Sequence, residues 1–245
     1  MKKHKTFLNW SGGKDAMFAL HQIKENTDFA IKKLLTTFNQ KNNRVNMHGV
    51  HLELMKKQAE NLEIPLQPVF LKPQISLAEY NKLMNTHLEE LKKENYTHAM
   101  FGDILLKDLR EHREKQLGEI NIKAVFPLWK KDTKKLIQDF IATGYRAVIV
   151  STNDKYLDSS FCGRILDESF LEDLPKNVDP CGENGEFHTF VFDGPLFKKP
   201  VNFEVHKIVE KKYAPSSKED SEDKDCYKQP ASWDIKFHFA DLVLK

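Results

Sequence analysis

The stretch Thr6-Phe7-Leu8-Asn9-Trp10-Ser11-Gly12-Gly13-Lys14-Asp15 decides the fold class of this 245-residue chain. The residues up to Trp10 are a short strand candidate, and behind Asp15 a helical pattern places Ala16, Ala19, Leu20 and Ile23 on one face. A glycine-rich turn between a strand and a helix presents consecutive backbone N–H groups to an anion. The stretch therefore predicts a phosphate-binding loop at the start of an α/β domain.

The side chains of this loop strengthen the prediction. Ser11 adds a hydroxyl, Lys14 adds a positive charge, and Asp15 falls in the first helical turn, where the helix dipole favours an acid. The loop does not have the GxxxxGKS/T spacing of a Walker A motif, nor is it GxGxxG. A plain Gly-Gly turn is the alternative interpretation, but the position between the first strand and a helix favours phosphate binding.

Strand and helix candidates alternate through the first 150 residues, which is typical of an open, mostly parallel α/β sheet. The strand candidates are 6–10, 31–38, 68–71, 97–101, 124–128 and 146–150. The later helix candidates are 50–62, 77–91, 107–117 and 136–141. Ligands of such sheets bind at the carboxyl ends of the strands. Residues 11–15 and 102–103 follow strands and are therefore expected at the same ligand-binding edge.

The last third of the chain has a different pattern, with strand candidates at 187–196, 201–210 and 233–239. Residues 214–231 are rich in Ser, Lys, Asp and Glu and are expected to form a mobile loop. We therefore expect a phosphate-binding α/β domain over residues 1–128. A smaller C-terminal α+β domain over residues 129–245 is expected to bind the substrate.

Composition limits the classes of function. Charged residues make up 30% of the chain and the net charge is +2, which argues against general affinity for nucleic acid or an anionic membrane. No stretch approaches the roughly 18 apolar residues of a membrane span, and no apolar signal segment follows the basic start. The 3 cysteines cannot all pair and form no metal-type CxxC, so a reduced, cytoplasmic protein is expected.

A second cluster of polar residues is Gly182-Glu183-Asn184-Gly185-Glu186, followed by Phe187 and His188. Acids in a glycine-bracketed loop can bind Mg²⁺, hold a substrate amine or act as a general base. If a strand begins at Phe187, Glu186 and His188 share one face of it. An exposed polar hairpin turn is the alternative. Cys181 beside this loop is a packed residue unless a base lowers its pKa.

Other candidates lie near the predicted strand ends. Asp103 is a candidate ligand for Mg²⁺ or a ribose hydroxyl, with a turn cap as the equal alternative. Arg110 and Arg113 share a helix face and either clamp an anion or form a solvated charged surface. Thr37 ends a strand at the ligand edge. His48 is expected to be an ordinary loop residue.

The loop at 11–15 resembles the SGGxDS signature of the PP-loop (N-type) ATP pyrophosphatase superfamily, in which this loop holds the pyrophosphate of ATP. Ala16 stands where the signature ends in Ser, so one hydroxyl contact is missing. Together with 35–38 (LTTF), 101–104 (FGDI) and 182–189 (GENGEFHT), the loop resembles the diphthine–ammonia ligase (diphthamide synthase) family. Residues 179–181 (DPC), which directly precede the GENGEFHT segment, and His188 resemble the corresponding residues of bacterial members of that family.

The resemblance implies a fold of the HUP, or adenine nucleotide alpha hydrolase, type and an ATP-dependent ligase that forms an amide. A carboxylate is adenylated with release of pyrophosphate, and ammonia then displaces AMP. ATP and Mg²⁺ are the implied cofactors. A small-molecule or protein-borne carboxylate and ammonia are the implied partners, and a homo-oligomer is compatible with the sequence.

The residues implied for these roles lie in the segments quoted above. The expected cofactor-binding residues are Ser11, Gly12, Gly13, Lys14, Asp15, Thr37, Gly102 and Asp103, with Asp103 also the expected metal ligand. The expected catalytic residues are Lys14, Glu183, Glu186 and His188. Two other functions stay open: a nucleotide sensor without turnover, which Ala16 favours, and an adenylating enzyme with a different acceptor, such as a corrinoid precursor or a tRNA base.

Overall fold

The computed structural model describes residues 3–24, 28–213 and 235–245. Within these ranges the strands are β1 (His4–Asn9), β2 (Phe29–Asn39), β3 (Arg44–Val45), β4 (Leu66–Leu71), β5 (His98–Met100), β6 (Lys123–Val125), β7 (Arg146–Asn153), β8 (Phe187–Asp193), β9 (Phe203–Tyr213) and β10 (Ile235–Leu244). The helices are α1 (Lys14–Lys24), α2 (Leu52–Leu62), α3 (Leu77–Lys93), α4 (Lys107–Glu119), α5 (Thr133–Ala142) and α6 (Glu168–Asp173). The loop expected at 214–231 lies outside the described residues.

The first sheet is parallel except for the short strand β3. Its parallel strands lie in the order β4-β2-β1-β5-β6, and β3 pairs antiparallel with the end of β2. The chain moves outward from β1 through β2 to β4 and then returns to the other side of β1 at β5. The strand order therefore reverses between β1 and β5, and a ligand crevice forms at such a reversal. The predicted open, mostly parallel α/β sheet is confirmed.

The second sheet is antiparallel, with the strand order β8-β7-β10-β9. The prediction that the 146–150 strand continues the parallel run was wrong, because β7 pairs with β8 and β10 instead. Both faces of β7 are buried from Ala147 to Val150. Such a continuous apolar run does not distinguish a parallel strand from a covered antiparallel one.

The two sheets share one hydrophobic core. Met17 and Phe18 of α1 belong to the same buried cluster as Phe140 of α5 and Phe190 of β8. The backbone of β8 also reaches the first sheet's loop, because the Val191 N–H donates to the Gly12 carbonyl at 2.9 Å. The division into domains at residue 128 therefore stays a prediction. No helix in the described ranges is long and apolar enough to cross a membrane.

Candidate nucleotide-binding and catalytic site

A cavity of about 520 Å³ lies at the carboxyl ends of β1, β2 and β5, between the loop at 11–15 and the segment at 181–189. It is lined by most of the residues expected to bind the nucleotide or catalyse the reaction. These are Ser11, Lys14, Asp15, Thr37, Gly102, Asp103, Glu183 and His188. The sequence motifs quoted above, which lie far apart in the chain, therefore share one cavity.

The loop at 11–15 is held from behind by α2 and β8. Gly12 has a φ of 77°, and a Cβ there would lie 2.7 Å from the Met55 sulfur. The buried Gln58 side chain donates to the Gly12 carbonyl at 3.0 Å and to the Val191 carbonyl at 2.6 Å. The Lys14 N–H donates to the Thr189 hydroxyl at 3.0 Å. Sequence reasoning missed Gln58 and Thr189, because neither residue type signals such a contact.

Lys14 is a buried cation in the cavity wall. Its side chain is 4% exposed, and its Nζ lies 2.8 Å from the Asp15 carboxylate. Burial disfavours the charged form, but the negative charge of Asp15, with a contribution from Glu183, outweighs it and holds the pKa of Lys14 above its usual range. The ammonium therefore stays charged at every physiological pH, as expected of a group that neutralises phosphate.

Asp15 and Asp103 fit the oxygen chemistry that Mg²⁺ prefers. The Oδ1 of Asp15 is buried and has no hydrogen-bond partner among the described residues. Asp103 is paired with Arg113, and burial raises its pKa although Arg113 opposes the shift. In the described ranges no three His, Cys, Asp or Glu side chains gather to hold a metal on their own. Mg²⁺ commonly takes only one or two carboxylates together with substrate phosphates.

Of the two acids in the loop at 182–186, Glu183 is the one that faces the cavity. Burial, followed by the negative charge of Asp15, raises its pKa to about 7, although Lys14 opposes the shift. A carboxylate with a pKa near neutrality exchanges a proton readily at physiological pH, which is the property required of a general base.

Glu186 differs from the expectation, because its carboxylate faces the protein interior. The residue is 0% exposed. The carboxylate accepts hydrogen bonds from the Asp179 N–H at 3.0 Å, the Asn184 N–H at 2.8 Å and the Asn184 side chain at 2.9 Å. Both oxygens are thus used within the loop. These contacts hold the segment that carries Glu183, and the catalytic role expected of Glu186 stays a prediction.

His188 lines the cavity together with His48, which sequence reasoning had treated as an ordinary loop residue. Their ring centroids lie 4.5 Å apart. No signal in the sequence relates these two residues, which are far apart along the chain. His48 is therefore a site residue that only the fold identifies.

Of the remaining candidates, Cys181 and Arg113 line the cavity and Arg110 lies outside its lining. Cys181 lines the cavity, but its thiol is directed to the Thr133 carbonyl at 3.2 Å, and burial raises its pKa. It therefore lacks the low pKa of a nucleophile. Arg113 lines the cavity, whereas Arg110 is placed over the rings of Phe126 and Trp129.

Gly102 permits the closest approach between the loops that follow β1 and β5. A Cβ on Gly102 would lie 2.7 Å from the carbonyl carbon of Asp15. Gly102→Ala should therefore force the loops apart, lower the free energy of unfolding by about 1 to 3 kcal/mol and weaken ATP binding. Denaturant unfolding and calorimetry would measure both effects.

Gly118→Ala is the matched control, because a Cβ there would meet no described atom within 4 Å and the residue lies in α4. It should raise the free energy of unfolding by roughly 0.5 to 1 kcal/mol and leave ATP binding unchanged. Equal ATP affinity in Gly102→Ala and the wild type would contradict the close approach.

Family models of diphthamide synthase match two parts of the chain. The model of the diphthamide synthase N-terminal domain matches residues 4–124, and that of the C-terminal domain matches residues 132–217. Both match in the order in which the two sheets occur. The residues discussed above as candidate nucleotide-binding or catalytic residues all lie within these matches.

Several curated relatives are named diphthine–ammonia ligase, among them those of Bos taurus, Homo sapiens and Schizosaccharomyces pombe. The chain is 30% identical to that of Bos taurus over 143 residues, or 53% of this chain and 54% of the relative. It is 29% identical to that of Homo sapiens over 143 residues, again 53% of this chain and 54% of the relative. It is 33% identical to that of Schizosaccharomyces pombe over 113 residues, or 44% of this chain and 19% of the relative. The chain thus spans about half the length of the mammalian relatives and about a fifth of the yeast one.

Among solved structures, a chain described as a predicted subunit of tRNA methyltransferase from Methanocaldococcus jannaschii superposes with a TM-score of 0.41. The two are 17% identical, and the match covers 60% of this chain and 80% of that one. This likeness is too low to support an inference about function.

Proposed function

The chain belongs to the diphthamide synthase family, because the two domain models of that family together match most of its residues. We therefore propose that it is an ATP-dependent ligase that forms an amide. The supporting observation is the cavity that joins the buried Lys14 with Glu183 and His188. One wall binds an anion and the opposite wall supplies a titratable acid, as a two-step reaction requires.

In the first step, a carboxylate oxygen of the substrate attacks the α-phosphorus of ATP and pyrophosphate leaves. The Lys14 ammonium and the backbone N–H groups of the loop at 11–15 neutralise the negative charge that develops on the leaving group. The fixed loop also holds ATP in a reactive orientation. Asp15 and Asp103 would hold Mg²⁺, which supplies further charge neutralisation on the phosphates.

In the second step, the nitrogen of ammonia attacks the activated carbonyl carbon, and AMP leaves with the electron pair of the broken C–O bond. The attacking nitrogen must lose a proton during this step. Glu183 is the proposed acceptor, because it lines the cavity and its pKa of about 7 leaves it ionised in a large fraction of molecules. Glu186 supports this step indirectly by holding the loop.

The acceptor is proposed from the relatives. Several curated relatives are named diphthine–ammonia ligase, which makes a diphthine carboxylate the first acceptor to test. His188 and residues 179–181 suggest a bacterial-type member with a different carboxylate, so small carboxylic acids form the second set.

An amide assay distinguishes these acceptors. The protein is incubated with Mg-ATP, ¹⁵N-ammonium and either a diphthine-bearing protein or a panel of carboxylic acids, and products are analysed by mass spectrometry. We expect one acceptor to gain a ¹⁵N amide. With an ¹⁸O-labelled carboxylate, one ¹⁸O should appear in AMP, because the substrate oxygen stays on phosphorus. AMP without ¹⁸O would contradict adenylation of the carboxylate.

A nucleotide sensor is the competing function, favoured by Ala16 in the loop. A sensor binds ATP and releases no pyrophosphate with any acceptor. Restoring the hydroxyl by Ala16→Ser should tighten ATP binding in either case, so affinity alone does not distinguish them. Product formation does.

The pH dependence of the second step should report Glu183. Burial and Asp15 raise its pKa to about 7, so the carboxylate is protonated below that pH and cannot accept a proton. At a fixed concentration of free ammonia, the rate of amide formation should therefore rise with pH through about 7 and then level off. Glu183→Gln should lower the plateau by about 10²- to 10⁴-fold and remove the dependence. A wild-type profile that is flat between pH 6 and 8 would contradict the assignment.

A further inference from the structure

His48 and His188 form a pair of rings in contact, tilted by 32° to each other, directly against the phosphate loop. Their centroids lie 4.5 Å apart, and both side chains line the cavity. His48 lies in the connection between β3 and α2, whereas His188 belongs to β8. The Cε1 of His48 lies 2.9 Å from the position that a Cβ on Gly13 would occupy. Whatever binds at the loop is therefore within reach of these rings.

The hydrogen bond of His48 restricts what its ring can bind. Its Nδ1 lies 3.1 Å from the backbone oxygen of Thr189. A carbonyl oxygen only accepts, so Nδ1 carries the hydrogen. In the neutral ring, Nε2 is then an acceptor and would repel a phosphate oxygen. His48 can donate a hydrogen bond to phosphate only as an imidazolium.

The surroundings keep both rings neutral as long as no negative charge is added. Burial lowers the pKa of His48 to about 4, and the positive charge of Lys14 on α1 contributes to this shift. Burial, His48 and Lys14 lower the pKa of His188 well below its usual value. The carboxylates of Asp15 and Glu183 line the same cavity.

We propose that the His48–His188 pair is a second phosphate-binding element, which takes up one proton when the polyphosphate of ATP binds to the loop at 11–15. The inference rests on the proposed function, because it requires ATP at this loop. Several negative charges close to the rings favour the charged form. The proton comes from solvent and is held by the His48–His188 pair, with Nε2 of His48 as the donor to phosphate. No covalent bond forms or breaks.

The pair differs from Lys14 in its response to pH. Lys14 is charged throughout, whereas the histidine pair becomes charged only with its ligand. Binding that takes up one proton is weakened as pH rises, by up to about tenfold per pH unit where the bound pair is protonated and the free pair is not. The affinity for ATP should therefore fall with rising pH until the bound pair also loses its proton.

Calorimetry tests the proton uptake without any acceptor substrate. Mg-ATP is titrated into the protein at about pH 7, where its terminal phosphate is largely ionised, in two buffers of different ionisation enthalpy. Inorganic pyrophosphate serves as a probe of binding only, because the free anion itself still carries a proton at this pH. A Glu183→Gln background removes the other cavity group whose pKa lies near neutrality. We expect an uptake of about one proton, which His48→Gln abolishes. His206→Gln, at an exposed position in β9, should retain it.

Nitrogen NMR of the histidine rings gives the second readout. The pyridine-type ¹⁵N signal of His48 is the one that is missing from the spectrum of His48→Gln. Addition of Mg-ATP to the wild type should move this signal to the position of a protonated ring. The affinity of His48→Gln for ATP should be about tenfold weaker at pH 7, in line with the loss of one charge-assisted hydrogen bond.

The outcomes separate the two proposals. If ATP binds without proton uptake and the His48 signal stays that of a neutral ring, the inference is wrong while the nucleotide site stands. If wild-type protein binds neither Mg-ATP nor pyrophosphate, the proposed function fails and the inference fails with it.

Discussion

Replacement of Lys14 by methionine is expected to lower acceptor-dependent release of pyrophosphate by about 10²- to 10³-fold, with little loss of secondary structure. Methionine keeps most of the side-chain volume at this buried position and removes only the charge. Lys14 lies in the cavity beside Asp15, with Nζ 2.8 Å from the carboxylate. Without the ammonium, the leaving pyrophosphate loses a fixed positive charge of the cavity wall.

The control for Lys14→Met is Lys107→Met, which removes the same charge from an exposed position on α4. This variant should keep the wild-type rate. Lys14→Arg should be partly active, since it restores the charge but not the shape of the ammonium. A Lys14→Met enzyme with a wild-type rate of pyrophosphate release would place the reaction outside this cavity.

The second large effect is expected for Glu186→Ala, which should lower the free energy of unfolding. The substitution removes the acceptor of three hydrogen bonds from donors of the half-buried Asp179 and the exposed Asn184. Loss of these bonds to a buried carboxylate should lower the free energy of unfolding by about 1.5 to 3 kcal/mol. Because the loop carries Glu183, the rate of amide formation should fall as well.

Glu183→Ala provides the matched comparison, since it removes a carboxylate three positions earlier in the same loop. Glu183 faces the cavity, so its removal should reduce activity strongly and change the free energy of unfolding by less than about 1 kcal/mol. Denaturant unfolding of both variants beside the amide assay separates the roles. Equal loss of stability in the two variants would contradict the assignment of Glu186 as the positioning residue.

The sequence predicts the first sheet well because its signals are local. Short apolar strands, helical periodicity and the Gly12-Gly13 turn each lie within one segment, and the order of the motifs places 11–15 and 102–103 at one edge. The strand at 146–150 was misplaced because its pattern shows burial on both faces but not its neighbours. Pairing is decided by β8 and β10, which come much later in the chain.

The site was predictable in its motifs but not in the orientation of its side chains. Glu183 and Glu186 look equivalent in the sequence, yet one faces the cavity and the other the interior. Gly182 and Gly185, with φ of 71° and 79°, reverse the chain between them, so strand alternation does not apply there. His48 was expected to be an ordinary loop residue, because its contact with Thr189 joins residues 141 positions apart and leaves no local signal.

The most direct test of the central claim is the identity of the products that ATP yields. Wild-type protein is incubated with Mg-ATP, ammonium and each candidate acceptor, beginning with a diphthine-bearing protein, and AMP, ADP, phosphate and pyrophosphate are quantified. An ATP-dependent ligase of the proposed kind should form AMP and pyrophosphate in equal amounts, only with acceptor present, and Lys14→Met should lower both by about 10²- to 10³-fold. Formation of ADP and phosphate, or tight ATP binding with no product across the acceptor panel, would contradict it.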